Sequence, residues 1–162
     1  MMDFRVGDET LSWFNNAFHL VKAFARKGGY RLYPSHIGAT DKARAHATLS
    51  IQHCWKNIGW GYCPTNIPQW NQKYKVAIAL MDHNGKIARI VVEQATDLST
   101  WTQGTDHRYK TAFSLEGIKR GNYTWLIGLV DTTRGNLPAI QMAVSPESQW
   151  QGWMVFGKLS IN

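Results

Sequence analysis

The sequence predicts an all-β chain: an immunoglobulin-like or jelly-roll antiparallel β-sandwich of about eight or nine strands, with one N-terminal α-helix. Three observations lead there. Short segments of alternating apolar and polar residues recur from Gly29 onward. Gly, Asn and Pro punctuate the gaps between them. The step Arg120-Gly121-Asn122-Tyr123 places a glycine and then a tyrosine at a strand entrance. That arrangement resembles the tyrosine corner of Greek-key sandwiches, whose hydroxyl ties back to upstream backbone. A length of 162 residues makes this one sandwich, large enough to bury a core without staples.

The elements follow in order. Over Glu9 to Lys27, Leu11, Phe14, Phe18, Val21 and Phe24 recur at steps of three and four. This predicts one amphipathic helix, opened by Asp8 and Glu9 and stopped at Gly28–Gly29 after Arg26 and Lys27. Tyr30 to Tyr33 reads as a short strand ended by Pro34. In His46 to Trp55, Ala47, Leu49, Ile51, His53 and Trp55 share one face. Tyr74 to Asp82 groups Tyr74, Val76, Ile78 and Leu80, and Asn84–Gly85 then predicts a two-residue hairpin turn into Lys86 to Glu93. Tyr109, Thr111, Phe113 and Leu115 form one side of the next strand; Tyr123, Trp125, Ile127 and Leu129 form one side of Asn122 to Asp131. Pro138 to Val144 and Trp153 to Ile161 complete the set. The division is residues 1–28 as a helix or linker remnant and residues 29–162 as the sandwich.

Composition narrows the function. Eight tryptophans are more than one core of this size needs, since an indole is hard to bury whole and its N–H wants a partner. A flat, weakly apolar ligand such as a sugar ring suits the remainder. The net charge of +7 raises nucleic acid as a partner, but the cations are scattered from Arg5 to Lys158 without a dense run, so none is expected. No stretch is long and apolar enough for a bilayer, so no membrane is expected either. The opening Met-Met-Asp-Phe-Arg-Val lacks the apolar core of a secretory leader. Cys54 and Cys63 flank the segment WKNIGWGY, and reduced thiols are favoured over a bridge.

Several segments, taken together, resemble a family. GYRL at Gly29–Leu32, HCWKNIGWGYCP at His53–Pro64, KVAIALMDHNGK at Lys75–Lys86, DLSTWTQG at Asp97–Gly104, GNYTWLIGLVD at Gly121–Asp131, LPAIQMAV at Leu137–Val144 and GWMVFGKLSI at Gly152–Ile161 appear in sequence order. They are similar to the C-terminal β-sandwich behind glycoside-hydrolase-like barrels of the DUF4832 group. The resemblance implies an accessory module of a polysaccharide-acting, secreted bacterial protein, related to carbohydrate-binding modules. It also implies that Trp55, Trp101 and Trp153 are structural, and that the N-terminal helix derives from a preceding domain or linker. The localisation it implies is extracellular, as part of a longer protein.

Placement sorts the other aromatics. Trp125 shares the apolar parity of its strand, and Trp13 lies just off the helix stripe, where it would pack on the sandwich or a neighbouring domain. Trp60, Trp70 and Trp150 belong to no alternating face and sit among Gly, Asn and Gln. An exposed indole beside amide side chains offers a stacking plane together with hydrogen bonds for vicinal hydroxyls. The expected substrate-binding set is therefore Trp60, Tyr62, Trp70 and Trp150 with Asn57, Gln69, Asn71, Gln72 and Gln149; Asn66 is a further partner, and Tyr33 and Tyr109 are weaker ones.

Catalytic signatures are not evident. Glu93 with Asp97 or Asp106 is the carboxyl pair that could be weighed for glycoside hydrolysis, but these residues read equally as strand ends. The six histidines show no metal-ligand spacing. No cofactor is expected, although Asp97, Asp106 or Asp131 could join a structural Ca²⁺. The expectation is a non-catalytic module binding a neutral plant-type polysaccharide (β-glucan, xylan or mannan) and targeting an attached glycoside hydrolase. The alternative is a sandwich that buttresses a catalytic barrel without a ligand of its own.

Overall fold

The computed structural model describes residues 7–162; the opening residues, read above for a leader core, lie outside them. Two short helices, α1 (Asp8–Asn16) and α2 (Phe18–Lys27), precede ten strands. The strands are β1 (Leu32–Gly38), β2 (Lys42–Ala43), β3 (Thr48–Asn57), β4 (Tyr74–Met81), β5 (Ile87–Glu93), β6 (His107–Ser114), β7 (Gly121–Asp131), β8 (Leu137–Ile140), β9 (Gln149–Trp150) and β10 (Trp153–Ile161). One sheet has the order β1-β3-β6; the other runs β2-β10-β7-β4-β5, with β8 added on β7 and β9 on β10. All pairings are antiparallel except β2 with β10.

The expected parity places the core. Ile51 and Trp55 of β3 and Phe113 of β6 face Val76, Ile78 and Leu80 of β4, and Trp125, Ile127 and Leu129 of β7, all buried between the sheets. Trp55 and Trp125 are buried, as strand parity predicts, and Trp101 and Trp153 are buried, as the resemblance implies. Three of these satisfy their indole N–H internally: Trp55 donates to His53 Nδ1, Trp101 to the Tyr109 hydroxyl and Trp125 to the Thr40 carbonyl. The tyrosine corner is also present, with the Tyr123 hydroxyl donating to the Lys119 carbonyl at 2.8 Å.

Four local expectations need correction. The single helix is two, because Ala17 leaves the helical region (φ −139°, ψ 34°). Strand β1 runs through Pro34 instead of ending there. An edge strand tolerates a residue that cannot donate, and the register shifts between Pro34 and His36. The β4–β5 connection is a three-residue loop, since Asp82 N–H pairs with Lys86 O and Gly85 alone has positive φ there. It is a turn closed by a left-handed glycine, not a two-residue turn. The two strands beyond the expected count, β2 and β9, have two residues each, too few to show a period.

The larger sheet has a second apolar layer on its outer face, where Ala77, Ala79, Leu126 and Val130 surround Trp153. Gly128 makes room for that indole: a Cβ there would lie 2.9 Å from the Trp153 ring. Gly128→Ala is expected to cost about 2 kcal/mol by overpacking, read as a lower urea midpoint with an unchanged slope.

A polar chain joins the two sheets through their interior. Trp55 Nε1 donates to His53 Nδ1 at 2.8 Å, and the Thr111 hydroxyl donates to Glu93 Oε2 at 2.6 Å. His53 Nε2 lies 2.9 Å from Thr111 Oγ1, whose only proton is already committed, so Nε2 carries the hydrogen and donates. The chain thus runs in one direction across β3, β6 and β5 and fixes a single neutral tautomer of His53. Burial pushes the His53 pKa down to about 4, against the opposing charge of Glu93.

Candidate functional site

The loop after β3 is built around Asn57, which is 1% exposed. Its Oδ1 accepts from the N–H groups of Arg31 and Gly59, and its Nδ2 donates to the carbonyls of Gly61 and Trp101. Every hydrogen-bonding position of this amide is occupied internally, so Asn57 positions the loop and is not a ligand contact. The chain then lies against residues 27–31, with Ile58, Trp60 and Gly61 donating to the carbonyls of Arg31, Lys27 and Gly29. Glycine is required at 59, where a Cβ would stand 2.2 Å from the Gly29 carbonyl oxygen. Ile58, Trp60 and Tyr62, alternate residues of this segment, are about half exposed, at 48%, 51% and 48%. The Lys27 ammonium sits over the Trp60 ring at 5.9 Å, which joins this ledge to the end of α2.

The helices carry further exposed apolar residues. Neither buries a residue, and Leu11, Trp13, Phe14, Phe18 and Leu20 are exposed. Trp13 therefore does not pack on the sandwich.

A second group of expected residues meets elsewhere. Gln69, Trp70, Asn71 and Gln72 line one hollow of about 480 Å³ together with Lys73, Lys75, Gln94, Thr132, Thr133 and Asn136. It lies where β4 begins and β5 and β7 end. The chain reaches it by tight turns, with Asn71 and Gln72 both at positive φ and Gln72 N–H bonded to the Thr65 carbonyl. Trp70 is half-buried, set edge-on to Tyr74 at 5.3 Å. A second hollow of about 320 Å³ shares Lys73 and continues to Pro138 and Ala139; a third of about 280 Å³ shares those two and reaches Gln149. Through these shared residues the three hollows adjoin, and together they make up a segmented trough at the end of the larger sheet and along β8.

The expected platform of three tryptophans is thus divided. Trp60 and Tyr62 stand on the ledge, and Trp70 lines the trough. Trp150 is half-buried against the outer layer of the larger sheet, while its neighbour Gln149 lines the trough and donates to the Val144 carbonyl. Asn66 is exposed and outside these hollows. Sequence reasoning missed Gln94, Thr132, Thr133 and Asn136; only their places at strand ends shared with the start of β4 could have flagged them.

The acidic residues are engaged locally. Glu93 accepts from Thr111 and from the Ala95 N–H, Asp97 accepts from Ser99, and Asp106 pairs with Lys56 and Arg108. Asp131 is buried, accepting from Thr133 and pairing with Lys73 at 3.1 Å. The suggested calcium ligands Asp97, Asp106 and Asp131 do not converge, and among the described residues no three His, Cys, Asp or Glu side chains gather as a metal site. Cys54 and Cys63 are buried free thiols. Burial pushes the Cys63 thiol up to about 11, and burial together with Cys63 pushes Tyr30 to about 12.

No protein-family model matches the chain, and neither does any curated protein. The resemblance to the DUF4832-associated sandwiches drawn from the order of short motifs accordingly finds no support in a family match. Among solved structures, the CARDB domain of the PF1109 protein from Pyrococcus furiosus is similar with a TM-score of 0.44 and 13% identity, over 84% of this chain and 91% of that one. A β-glucosidase from Listeria innocua is similar with a TM-score of 0.45 and 14% identity, over 82% of this chain; the match spans 16% of the enzyme. The alkylpurine DNA glycosylase AlkC of Pseudomonas fluorescens gives 0.47 and 10%, over 95% of this chain and 39% of that one.

Proposed function

We propose that this chain is a non-catalytic accessory module that binds a plant-type polysaccharide in the trough beside Trp70, as part of a secreted carbohydrate-active protein. The supporting observation is the trough itself, in which three hollows share lining residues and run from Gln69 and Trp70 to Gln149. Amides and hydroxyls around an indole in the first hollow, followed by the more apolar lining of Leu137, Pro138 and Ile140, suit the mixed polar and apolar faces of sugar rings. The proposed contacts are Gln69, Trp70, Asn71, Gln72 and Gln149 from the sequence reading, joined by Gln94, Thr132 and Asn136.

Affinity electrophoresis against glucans, xylans, mannans and pectins tests this reading. Trp70→Ala is expected to weaken retention about tenfold, an aromatic stacking contribution, while Trp60→Ala leaves it unchanged. Trp70→Phe keeps an aromatic edge on Tyr74 and guards against a loss caused by misfolding. Retention lost with Trp60→Ala but kept with Trp70→Ala would move the site to the ledge.

A specific observation favours the buttress reading for a different surface. Among the described residues, eight of the ten exposed large hydrophobic side chains lie on the helices and the adjoining ledge, from Leu11 to Tyr62. A concentration of exposed apolar side chains of this kind suits a seat for a neighbouring domain. The two roles are compatible, since trough and ledge share no lining residue. A fold-intact protein retained by no polysaccharide would leave the buttress alone.

A further inference from the structure

Building on the polysaccharide reading of the trough, we infer that its ligand carries carboxylates: the groove suits a uronate-bearing polysaccharide better than a neutral one. The observation is an excess of positive charge in a lining that otherwise mixes amides and hydroxyls with apolar side chains such as Val92, Leu137 and Pro138. Asp131 is the one carboxylate lining the three hollows, and it is already spent. It is 2% exposed, accepts from the N–H and hydroxyl of Thr133, and holds Lys73 at 3.1 Å. Lys73 is therefore neutralised where it stands.

Two other cations are not. Arg134 lines the second hollow and is exposed; its backbone N–H bonds to Asp131, but its guanidinium has no hydrogen bond or ion pair among the described residues. Lys75 lines the first hollow and donates to the Thr96 carbonyl, a neutral acceptor that leaves its charge standing. Asp97, which feels the field of Lys75, is not among the residues lining the hollow and accepts at Oδ1 from the N–H and hydroxyl of Ser99.

The form of the trough selects among anions. A guanidinium receives a carboxylate through two parallel hydrogen bonds. The amides and hydroxyls lining the first hollow match a ligand that carries hydroxyl groups as well as carboxylates. A phosphate backbone, with its dense charge, calls for clustered cations instead.

Calorimetric titration of the full chain with polygalacturonate, its uncharged methyl ester, mannan and poly-aspartate decides the matter. Polygalacturonate is expected to bind about tenfold more tightly than its methyl ester, the contribution of two exposed charge pairs. Arg134→Gln and Lys75→Gln together should erase that difference, and Lys22→Gln on α2 should leave it. Arg134→Gln alone, which breaks no internal contact of its side chain, should remove part of it. Equal binding of polygalacturonate and its ester would overturn the acidic ligand and leave the polysaccharide reading standing. Poly-aspartate binding as tightly as polygalacturonate would also overturn it, in favour of unspecific attraction to the net charge. Binding to none of the polysaccharides would overturn both readings.

Discussion

Asn57→Ala is expected to lower the stability of the fold by about 4 kcal/mol, read from urea unfolding. The amide serves four buried or half-buried backbone groups at once: the N–H of Arg31 and Gly59, and the carbonyls of Gly61 and Trp101. Truncation removes the partner of all four, two of them in buried bonds, which is why the cost exceeds that of one lost hydrogen bond. Asn57→Asp separates the two halves of this role. It keeps an acceptor for the two N–H groups but turns a second oxygen toward two carbonyls, so it should be nearly as damaging. Hydrogen exchange supplies a local readout, with the Ile58, Trp60 and Gly61 amides losing protection in both variants before the sheets open. Protection unchanged at these three positions would contradict the role assigned to Asn57.

The second large effect is a dependence of stability on acid. His53 has a folded pKa of about 4 against 6.5 when free, so between these values the unfolded chain binds the extra proton. Stability from this group is complete above pH 6.5, falls as the pH drops toward 4, and changes no further below that. The gap corresponds to about 3 kcal/mol. A proton on Nδ1 would face the Trp55 N–H, so charging this ring means breaking the directed chain from Trp55 to Glu93. His53→Gln should flatten the slope of unfolding free energy over that interval relative to the parent, whatever its cost at neutral pH. His107, whose pKa burial also lowers against the opposing charge of Asp106, supplies a residual slope common to both proteins. Equal slopes in the parent and His53→Gln would refute the assignment.

Where the information is local, the sequence was enough to read the fold. Val76, Ile78 and Leu80 declare the inner face of β4 by spacing alone, and Gly121 followed by Tyr123 marks the corner because that motif is a matter of adjacent residues. The site was less legible for the opposite reason. Asn57 looks like a polar contact beside a loop tryptophan; its burial depends on the loop folding against Gly29, far away in the chain. Trp70 and Trp150 stand outside any alternating pattern, yet each finds half its cover on a surface made by other strands. The trough residues Gln94, Thr132 and Asn136 meet Gln69 only through sheet register, which a single sequence does not reveal. The helix break had a faint local sign in Asn15–Asn16, a pair of weak helix formers just before Ala17.

That break carries a kinetic consequence. Helices of nine and ten residues, hinged at Ala17 and burying nothing, fall below the length at which a helix persists in water by itself. Whatever surface receives Phe14 and Phe18 would also have to immobilise the segment, and the entropy lost in doing so would be subtracted from the grip. If a neighbouring domain docks there, as the buttress reading proposes, the attachment would release readily and leave the β-sandwich a loosely held appendage.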